Sequence, residues 1–200
     1  MIIEGSTAVI TGAASGIGHA TAIDLASRGA KAIAMVDITD NVADVTAEMN
    51  KKAGREVGRA FQGDVTDEAF RKEVYDAMCG KDGVVNICVP SAGIFRDRLS
   101  VMLDKETGEP DIYPVEMFHQ VLEVNLVAPV YWALELVARM AHNRKVNGKK
   151  KWHPDETVQG TIVFIGSVAS QGNKGQISYS STKAALEGAA QTLMKESMFH

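Results

Sequence analysis

The stretch TAVITGAASGIG, residues 7–18, decides the fold of this 200-residue chain. It opens with small apolar and β-branched residues, which predict a short buried strand near residues 6–10. Three glycines follow, and a helical pattern over residues 17–28 ends at Gly29. A strand, a glycine-rich turn and a helix in this order aim free backbone N–H groups and a positive dipole end at one point. The pattern favours a phosphate site, and a tight turn without a ligand is the alternative.

The rest of the chain alternates apolar strands with amphipathic helices. We predict strands near 32–36, 57–62, 84–89 and 161–166, and helices near 40–52, 67–79, 115–141 and 178–198. This alternation is typical of an α/β fold, a doubly wound (Rossmann-like) parallel sheet covered on both faces. Thr66 is the predicted N-cap of the third helix, and residues 94–114 and 142–160 are predicted to be long loops. The length suits a single domain over residues 1–200.

Composition and charge exclude several classes of protein. Hydrophobic residues make up 46% and charged residues 23%, which are ordinary globular values. A net charge of −4 argues against nucleic acid as a partner. Residues 1–4 lack the features of a signal peptide, and no apolar run approaches the roughly 20 residues of a membrane span, so we expect a cytoplasmic protein with no membrane partner. Cys79 and Cys88 are expected to fill the core and not to form a disulfide, and no metal site is expected.

Asp37, which ends the second predicted strand, carries information about the nucleotide. It lies about 20 residues beyond the glycines, where a carboxylate can accept hydrogen bonds from an adenosine ribose. A carboxylate there repels a 2′-phosphate, residues 38–41 contain no Lys or Arg, and Ser15 precedes Gly16 in place of a basic residue. These features favour NAD over NADP. The alternative is a strand-end acid that caps Asn41 or the next helix.

Small or polar residues follow each of the five predicted strands. Besides the glycine turn and Asp37, these are Asp64, Ser91-Ala92-Gly93 and Ser167. Because the carboxyl ends of parallel strands form the ligand crevice of such a sheet, we expect these residues to lie at one edge.

Tyr179 and Lys183 form a candidate proton-transfer pair. They are four residues apart, so a helix places them on one face. A free tyrosine loses its proton only near pH ~10, and a neighbouring ammonium favours the phenolate, which suits the phenol to general acid–base catalysis. Ser167, twelve residues upstream, can donate a hydrogen bond to a carbonyl or alkoxide oxygen. An ordinary surface Tyr–Lys pair is the alternative.

Taken together, these motifs resemble those of the short-chain dehydrogenases/reductases. The family's glycine motif T-G-x-x-x-G-x-G matches residues 11–18, and its acid after the third strand matches Asp64, with Val65 beside it. The family's tetrad matches Asn125, Ser167, Tyr179 and Lys183. The resemblance extends over residues 5–198.

The resemblance implies an NAD-dependent oxidoreductase that acts on a secondary alcohol or ketone. Tyr179 would be the general acid in reduction and the base in oxidation, and Ser167 would polarise the substrate oxygen. Lys183 would favour the phenolate and bind the nicotinamide ribose, and Asn125 would hold a helix kink and a water that connects Lys183 to solvent. The implied cofactor-binding set is Gly12, Ser15, Gly16, Ile17, Gly18, Asp37, Asp64, Val65, Ser91, Ala92, Gly93, Tyr179 and Lys183. A nucleotide-binding protein or fragment without turnover is the alternative.

The chain departs from the family pattern at two places, and the resemblance also has an implication for assembly. Ser91 stands where the family has Asn, which would loosen the centre of the cofactor site. The family continues with another strand and a substrate-covering segment, so we expect a fold truncated after the helix that carries Lys183, with the strand at 161–166 as an uncovered edge. The helices at 115–141 and 178–198 are apolar on more than one face, and in the family the equivalent helices pair, which implies a homodimer or homotetramer. The alternative is that the extra apolar surface lies under the two long loops.

Overall fold

The computed structural model describes residues 2–80, 83–149 and 151–198, and it confirms the predicted doubly wound α/β fold. The strands are β1 (Thr7–Thr11), β2 (Ala32–Asp37), β3 (Gly58–Gln62), β4 (Ile87–Pro90), β5 (Val101–Leu103), β6 (Pro110–Ile112) and β7 (Thr161–Ile162). The helices are α1 (Gly16–Ser27), α2 (Val42–Ala53), α3 (Glu68–Cys79), α4 (Val115–Leu122), α5 (Ala128–Val146) and α6 (Ile177–Ser197). Five parallel strands form the central sheet in the order β3-β2-β1-β4-β7.

The central strand β1 is buried along its whole length and divides the core into two layers. Ile10 packs on the side that also contains Leu25 and Met49 of α1 and α2. Val9 packs on the other side, with Val74 of α3 and Trp132 of α5. Because successive side chains of a strand point to opposite faces, one apolar run supplies both layers.

The helical stretch Val115–Val146 is long and apolar enough to cross a membrane on length and composition alone. In this fold its apolar residues have another explanation. Trp132 and Ala133 are fully buried, Leu136 is nearly so, and α5 packs against β4. The Trp132 indole also donates a 2.9 Å hydrogen bond to the Val65 carbonyl oxygen. The stretch therefore packs one face against the sheet, and the rest of its apolar surface stays half-buried or exposed. It is longer and more apolar than we expected of any segment from the sequence.

The last strand of the sheet is shorter than predicted. Residues 161–166 were expected to be extended and paired, but only Thr161–Ile162 forms β7, opposite Ile87 and Cys88. The ladder stops where β4 approaches Pro90, a residue that has no N–H to donate. Val163 makes one more bond, from its N–H to the Cys88 carbonyl oxygen at 3.0 Å.

Other boundaries also differ from the sequence predictions. The 94–114 segment contains an antiparallel ribbon, β5–β6, and is not a simple loop. The helix predicted over 115–141 extends to Val146, so the second loop is shorter, and a π-helical segment, Glu123–Val127, separates α4 from α5. Asp67, not Thr66, caps α3, because the Asp67 carboxylate accepts from the N–H groups of Ala69 and Phe70 at 2.7 and 3.3 Å. Cys79 and Cys88 are free thiols, as expected.

Candidate functional site

The glycine turn between β1 and α1 needs glycine for steric reasons. Gly12 has a φ of +66°, and a Cβ there would lie 2.8 Å from the Ala92 backbone nitrogen. A Cβ on Gly18 would overlap the Gly12 carbonyl oxygen and lie 2.6 Å from the Ser91 hydroxyl. Two of the three motif glycines therefore let the turn approach the chain after β4, whatever ligand binds.

Within the described residues, no side chain caps the N-terminus of α1. Ser15 precedes the helix without accepting a hydrogen bond from its first turn, whereas Asp67 caps α3. Gly16 has a φ of +54°, and no heavy atom lies within 4 Å of the position a Cβ would take. The first-turn N–H groups, with Ile17 exposed beside them, are therefore available to an acceptor from outside the chain. This is an arrangement that a dinucleotide's phosphates fit.

Asp37 at the end of β2 already bonds to the protein through both oxygens. One accepts from the Ala14 N–H at 3.0 Å, and the other accepts from the N–H and hydroxyl of Thr39 at 3.2 and 3.1 Å. Asp37 therefore fixes the glycine turn against the end of β2. It caps neither Asn41 nor α2, the roles considered as its alternative. Because a carboxylate can accept about four hydrogen bonds, it keeps capacity for a ribose hydroxyl.

The Ser91-Ala92-Gly93 segment is bonded to the end of β1. The Ser91 hydroxyl donates to the Thr11 carbonyl oxygen at 2.5 Å, and the Ala92 N–H donates to the Thr11 hydroxyl at 3.1 Å. The serine thus links the ends of β1 and β4, and the expected loosening of the cofactor site stays a prediction.

Asn125 lies in the π-helical segment and is 1% exposed. Its amide oxygen accepts from the Ile94 N–H at 2.8 Å, and its amide nitrogen donates to the Ile94 carbonyl oxygen at 2.8 Å. A Cβ on Gly93 would lie 3.4 Å from the same amide oxygen. Asn125 therefore fixes the backbone that leaves the Ser91–Gly93 segment. The π-turn is the helix irregularity that the resemblance implied at this residue.

Asp64 and Val65 follow β3 at the same edge of the sheet. One Asp64 oxygen accepts from the N–H and hydroxyl of Thr66 at 2.9 and 2.8 Å. The residue is exposed, and Val65 beside it is buried. Asp64 is thus an exposed, turn-forming acid at the edge of the sheet.

Ser167 precedes a short 3-10 turn, Val168–Gln171, that packs against α6, the helix that carries Tyr179 and Lys183. The half-buried Ser167 caps this turn, because its hydroxyl oxygen accepts from the Ala169 N–H at 3.1 Å and its proton stays available to another acceptor. The Lys183 ammonium lies over the Tyr179 ring, 5.4 Å from its centroid. It also donates to the Ile165 carbonyl oxygen at 2.7 Å.

Burial lowers the pKa of Lys183 below its ordinary value, since the side chain is only 7% exposed. Among the described residues the ammonium makes one hydrogen bond, and it can donate two more.

The structure adds a set of contacts that the sequence did not indicate, between residues 94–114 and α6. The Tyr113 hydroxyl donates to the Arg96 carbonyl oxygen at 2.7 Å and lies 2.9 Å from the Ser178 hydroxyl. The Phe95 ring stacks on Tyr179 with 4.6 Å between ring centroids. No periodicity or motif marks these residues, and only the position of Phe95, two residues beyond Gly93, hinted at a place near the site.

The fold and this edge of the sheet define the class: a Rossmann-like α/β protein with a glycine turn for a nucleotide and a Ser–Tyr–Lys group beside it. The family model of the short chain dehydrogenases matches residues 6–200. The chain is similar to the 3-oxoacyl-[acyl-carrier-protein] reductases of Escherichia coli K12 and Thermotoga maritima. Each is 32% identical over 197 residues, which cover 98% of this chain and 69% and 70% of the relatives.

A solved structure agrees with this comparison. This is the crystal structure of a protein from Sinorhizobium meliloti 1021 that is provisionally named a short-chain alcohol dehydrogenase. It superposes with a TM-score of 0.75 at 26% identity, over 98% of this chain and 69% of its own. The chain belongs to the short-chain dehydrogenase family, whose members are oxidoreductases that use nicotinamide cofactors.

Proposed function

We propose that this protein transfers a hydride between NAD(H) and a secondary alcohol or ketone, with Tyr179 as the proton-transfer group. The observation that carries the proposal is the position of the Tyr179 phenol and the absence of a hydrogen-bond partner for its hydroxyl among the described residues. Its half-buried phenol lies beside the Lys183 ammonium, and no residue in the described ranges hydrogen-bonds its hydroxyl. A phenol that is held in place but not hydrogen-bonded can exchange its proton with a substrate oxygen.

Each residue of the group has a part in this reaction. The bound nicotinamide would supply the hydride chemistry. Tyr179 would donate its proton to the carbonyl oxygen in reduction and accept it in oxidation. The Ser167 hydroxyl would donate to the same oxygen, and a donor aimed at developing charge lowers the barrier. The Lys183 ammonium would stabilise the phenolate electrostatically and bind the ribose.

Asp37 and its surroundings support NAD as the cofactor. The Asp37 carboxylate is held at the end of β2 by Ala14 and Thr39, and the next four residues contain the acid Asp40 and no base. A 2′-phosphate would therefore meet negative charge here. Gly12, Gly16 and Gly18 would hold the pyrophosphate at the start of α1, and Asp64 and Val65 would border the adenine.

The test is NADH formation with a panel of secondary alcohols, and the reverse reaction with ketones that include a 3-oxoacyl thioester. The Tyr179→Phe variant should lose at least nine-tenths of the activity and bind NAD with unchanged affinity, because positioned acid–base groups contribute about 10²–10⁴-fold. A variant that keeps more activity would refute the role of Tyr179. Binding of NAD without turnover of any substrate in the panel would instead favour the nucleotide-binding alternative.

The helices α4 to α6 support a homodimer or homotetramer. Phe118, Leu122, Leu126, Val130 and Leu134 recur at four-residue spacing and stay half-buried or exposed. On α6, Leu186 and Leu193 turn into the core, whereas Ala184, Ala185 and Gly188 are exposed and small. We expect a two-fold helix interface of more than roughly 1,000 Å². Light scattering at micromolar concentration checks this interface, and a monomer would contradict it.

We also propose that the protein acts in the cytoplasm.

A further inference from the structure

The orientation of the Tyr179 ring is not fixed by its own hydroxyl. No described residue hydrogen-bonds the phenolic oxygen, and the backbone of α6 fixes only the Cα–Cβ bond. The ring is half-buried, and within the described residues the Lys183 ammonium lies over it and the Phe95 ring lies beside it. A proton-transfer group must be held near its productive geometry, and a ring contact is one way to hold it.

Phe95 has the geometry to do this. Its ring centroid lies 4.6 Å from that of Tyr179 at an interplanar angle of 35°, within the range of favourable aromatic pairs. Such a contact biases a ring toward one orientation by about 2- to 13-fold. Phe95 is itself 56% exposed, so burial in the core does not explain its position.

The backbone on both sides of Phe95 is fastened. Ile94 is bonded through its N–H and C=O to Asn125. The Arg96 carbonyl oxygen accepts from the Tyr113 hydroxyl, which in turn accepts from Ser178, the residue before Tyr179. The backbone that carries Phe95 is therefore fixed on both sides, and with it the direction of the Phe95 Cα–Cβ bond.

The same segment is joined to the start of α6 a second time. The Arg98 N–H donates to the Gly175 carbonyl oxygen at 2.8 Å, and the Gln176 amide donates to the Asp97 carboxylate at 2.7 Å. These contacts and the Tyr113–Ser178 pair connect residues 94–113 directly to the helix that carries Tyr179. Phe95 therefore keeps its place relative to Tyr179 and not only relative to the sheet.

From these contacts we infer that Phe95 is a positioning residue that holds the Tyr179 phenol in the orientation used for proton transfer. The inference rests on the proposed function of Tyr179. It adds that the segment after β4 contributes to catalysis through an aromatic contact with α6.

The kinetic test compares Phe95→Ala, Phe95→Leu and Phe95→Trp with the matched control Leu103→Ala. Leu103 is an exposed apolar residue of the same segment, 66% exposed and without a ring contact. Phe95→Ala and Phe95→Leu should lower kcat by about 2- to 13-fold, the bias that the ring contact supplies, and leave KM for NAD within about twofold. Phe95→Trp should restore kcat to within threefold, and Leu103→Ala should leave it unchanged. Equal kcat in all variants would overturn the inference.

A double-mutant cycle separates positioning from substrate binding. In a Tyr179→Phe background, Phe95→Ala should lower the residual rate by less than twofold, because the group that it positions is gone. An undiminished effect would show that Phe95 acts on the substrate, and the inference would be wrong. If Tyr179→Phe alone keeps more than a tenth of the activity, the proposed function of Tyr179 is wrong. This outcome is distinct from a failure of the Phe95 inference, which the double-mutant cycle detects.

A spectroscopic measurement tests the contact without turnover. The chain has four tyrosines, so ring-labelled tyrosine gives a resolvable NMR spectrum, in which Tyr179→Phe assigns the Tyr179 signal. The stacked Phe95 ring should shift this signal. The shift should disappear in Phe95→Ala and Phe95→Leu and persist in Phe95→Trp. Loss of the shift with an unchanged kcat would overturn the positioning role.

Discussion

Replacement of Asn125 by alanine tests the most heavily used buried amide of the site. Asn125 is 1% exposed and makes two 2.8 Å bonds to the backbone of Ile94. The change removes both bonds and leaves the half-buried N–H and C=O of Ile94 without their side-chain partner. An unsatisfied buried group costs about 1–3 kcal/mol; because Ile94 is only partly buried, we expect a loss in the lower part of the summed range, about 2–4 kcal/mol, in the free energy of unfolding.

The assay is equilibrium unfolding in urea, followed by circular dichroism. The midpoint should fall while the slope m stays constant, since the surface exposed on unfolding is unchanged. Asn147→Ala is the matched control: Asn147 is exposed at the end of α5, and its replacement should cost less than about 0.5 kcal/mol. If Asn125→Ala loses less than about 1 kcal/mol, the amide does not hold the Ile94 backbone as described.

Two further predictions concern cofactor choice and thiol chemistry. Asp37→Ser combined with Ile38→Arg should shift binding from NAD toward NADP in calorimetric titrations, and a tenfold NADP preference of the unaltered protein, about 1.4 kcal/mol, would contradict the argument. Burial raises the pKa of Cys88 to about 12. The thiolate that reacts forms only above that pH, so at pH 8 a thiol reagent should modify at most Cys79 in the folded protein and both cysteines after denaturation. Modification of Cys88 in the folded protein, detected by mass spectrometry, would show that the reagent reaches the buried strand β4.

The sequence predicts those parts of the molecule that depend on neighbouring residues. The glycine turn, the order of strands and helices and the four-residue spacing of Tyr179 and Lys183 are local patterns, and the structure has them. The short β7 follows from Pro90 on a strand about 70 residues away. The Phe95–Tyr179 stack joins residues 84 positions apart. Contacts at such separation leave no periodic signal, which is why the sequence did not indicate them.

The prediction that Thr66 caps α3 was wrong for a different reason. Thr66 and Asp67 are both good N-cap residues. The choice depends on Asp64, which binds the N–H and hydroxyl of Thr66 and leaves Asp67 for the helix. Local competition between adjacent polar residues is settled by geometry that a one-dimensional pattern does not contain.

The side-chain bonds between strand ends have a consequence for folding. Asp37 joins the end of β2 to the glycine turn, and Ser91 joins the end of β4 to Thr11. Three chain segments that are distant in sequence thus meet only after β1, β2 and β4 have paired. The proposed nucleotide site therefore assembles together with the centre of the sheet. A ligand present at about 100 times its Kd would then stabilise the whole sheet by about 2.7 kcal/mol, and not only the turn that it contacts.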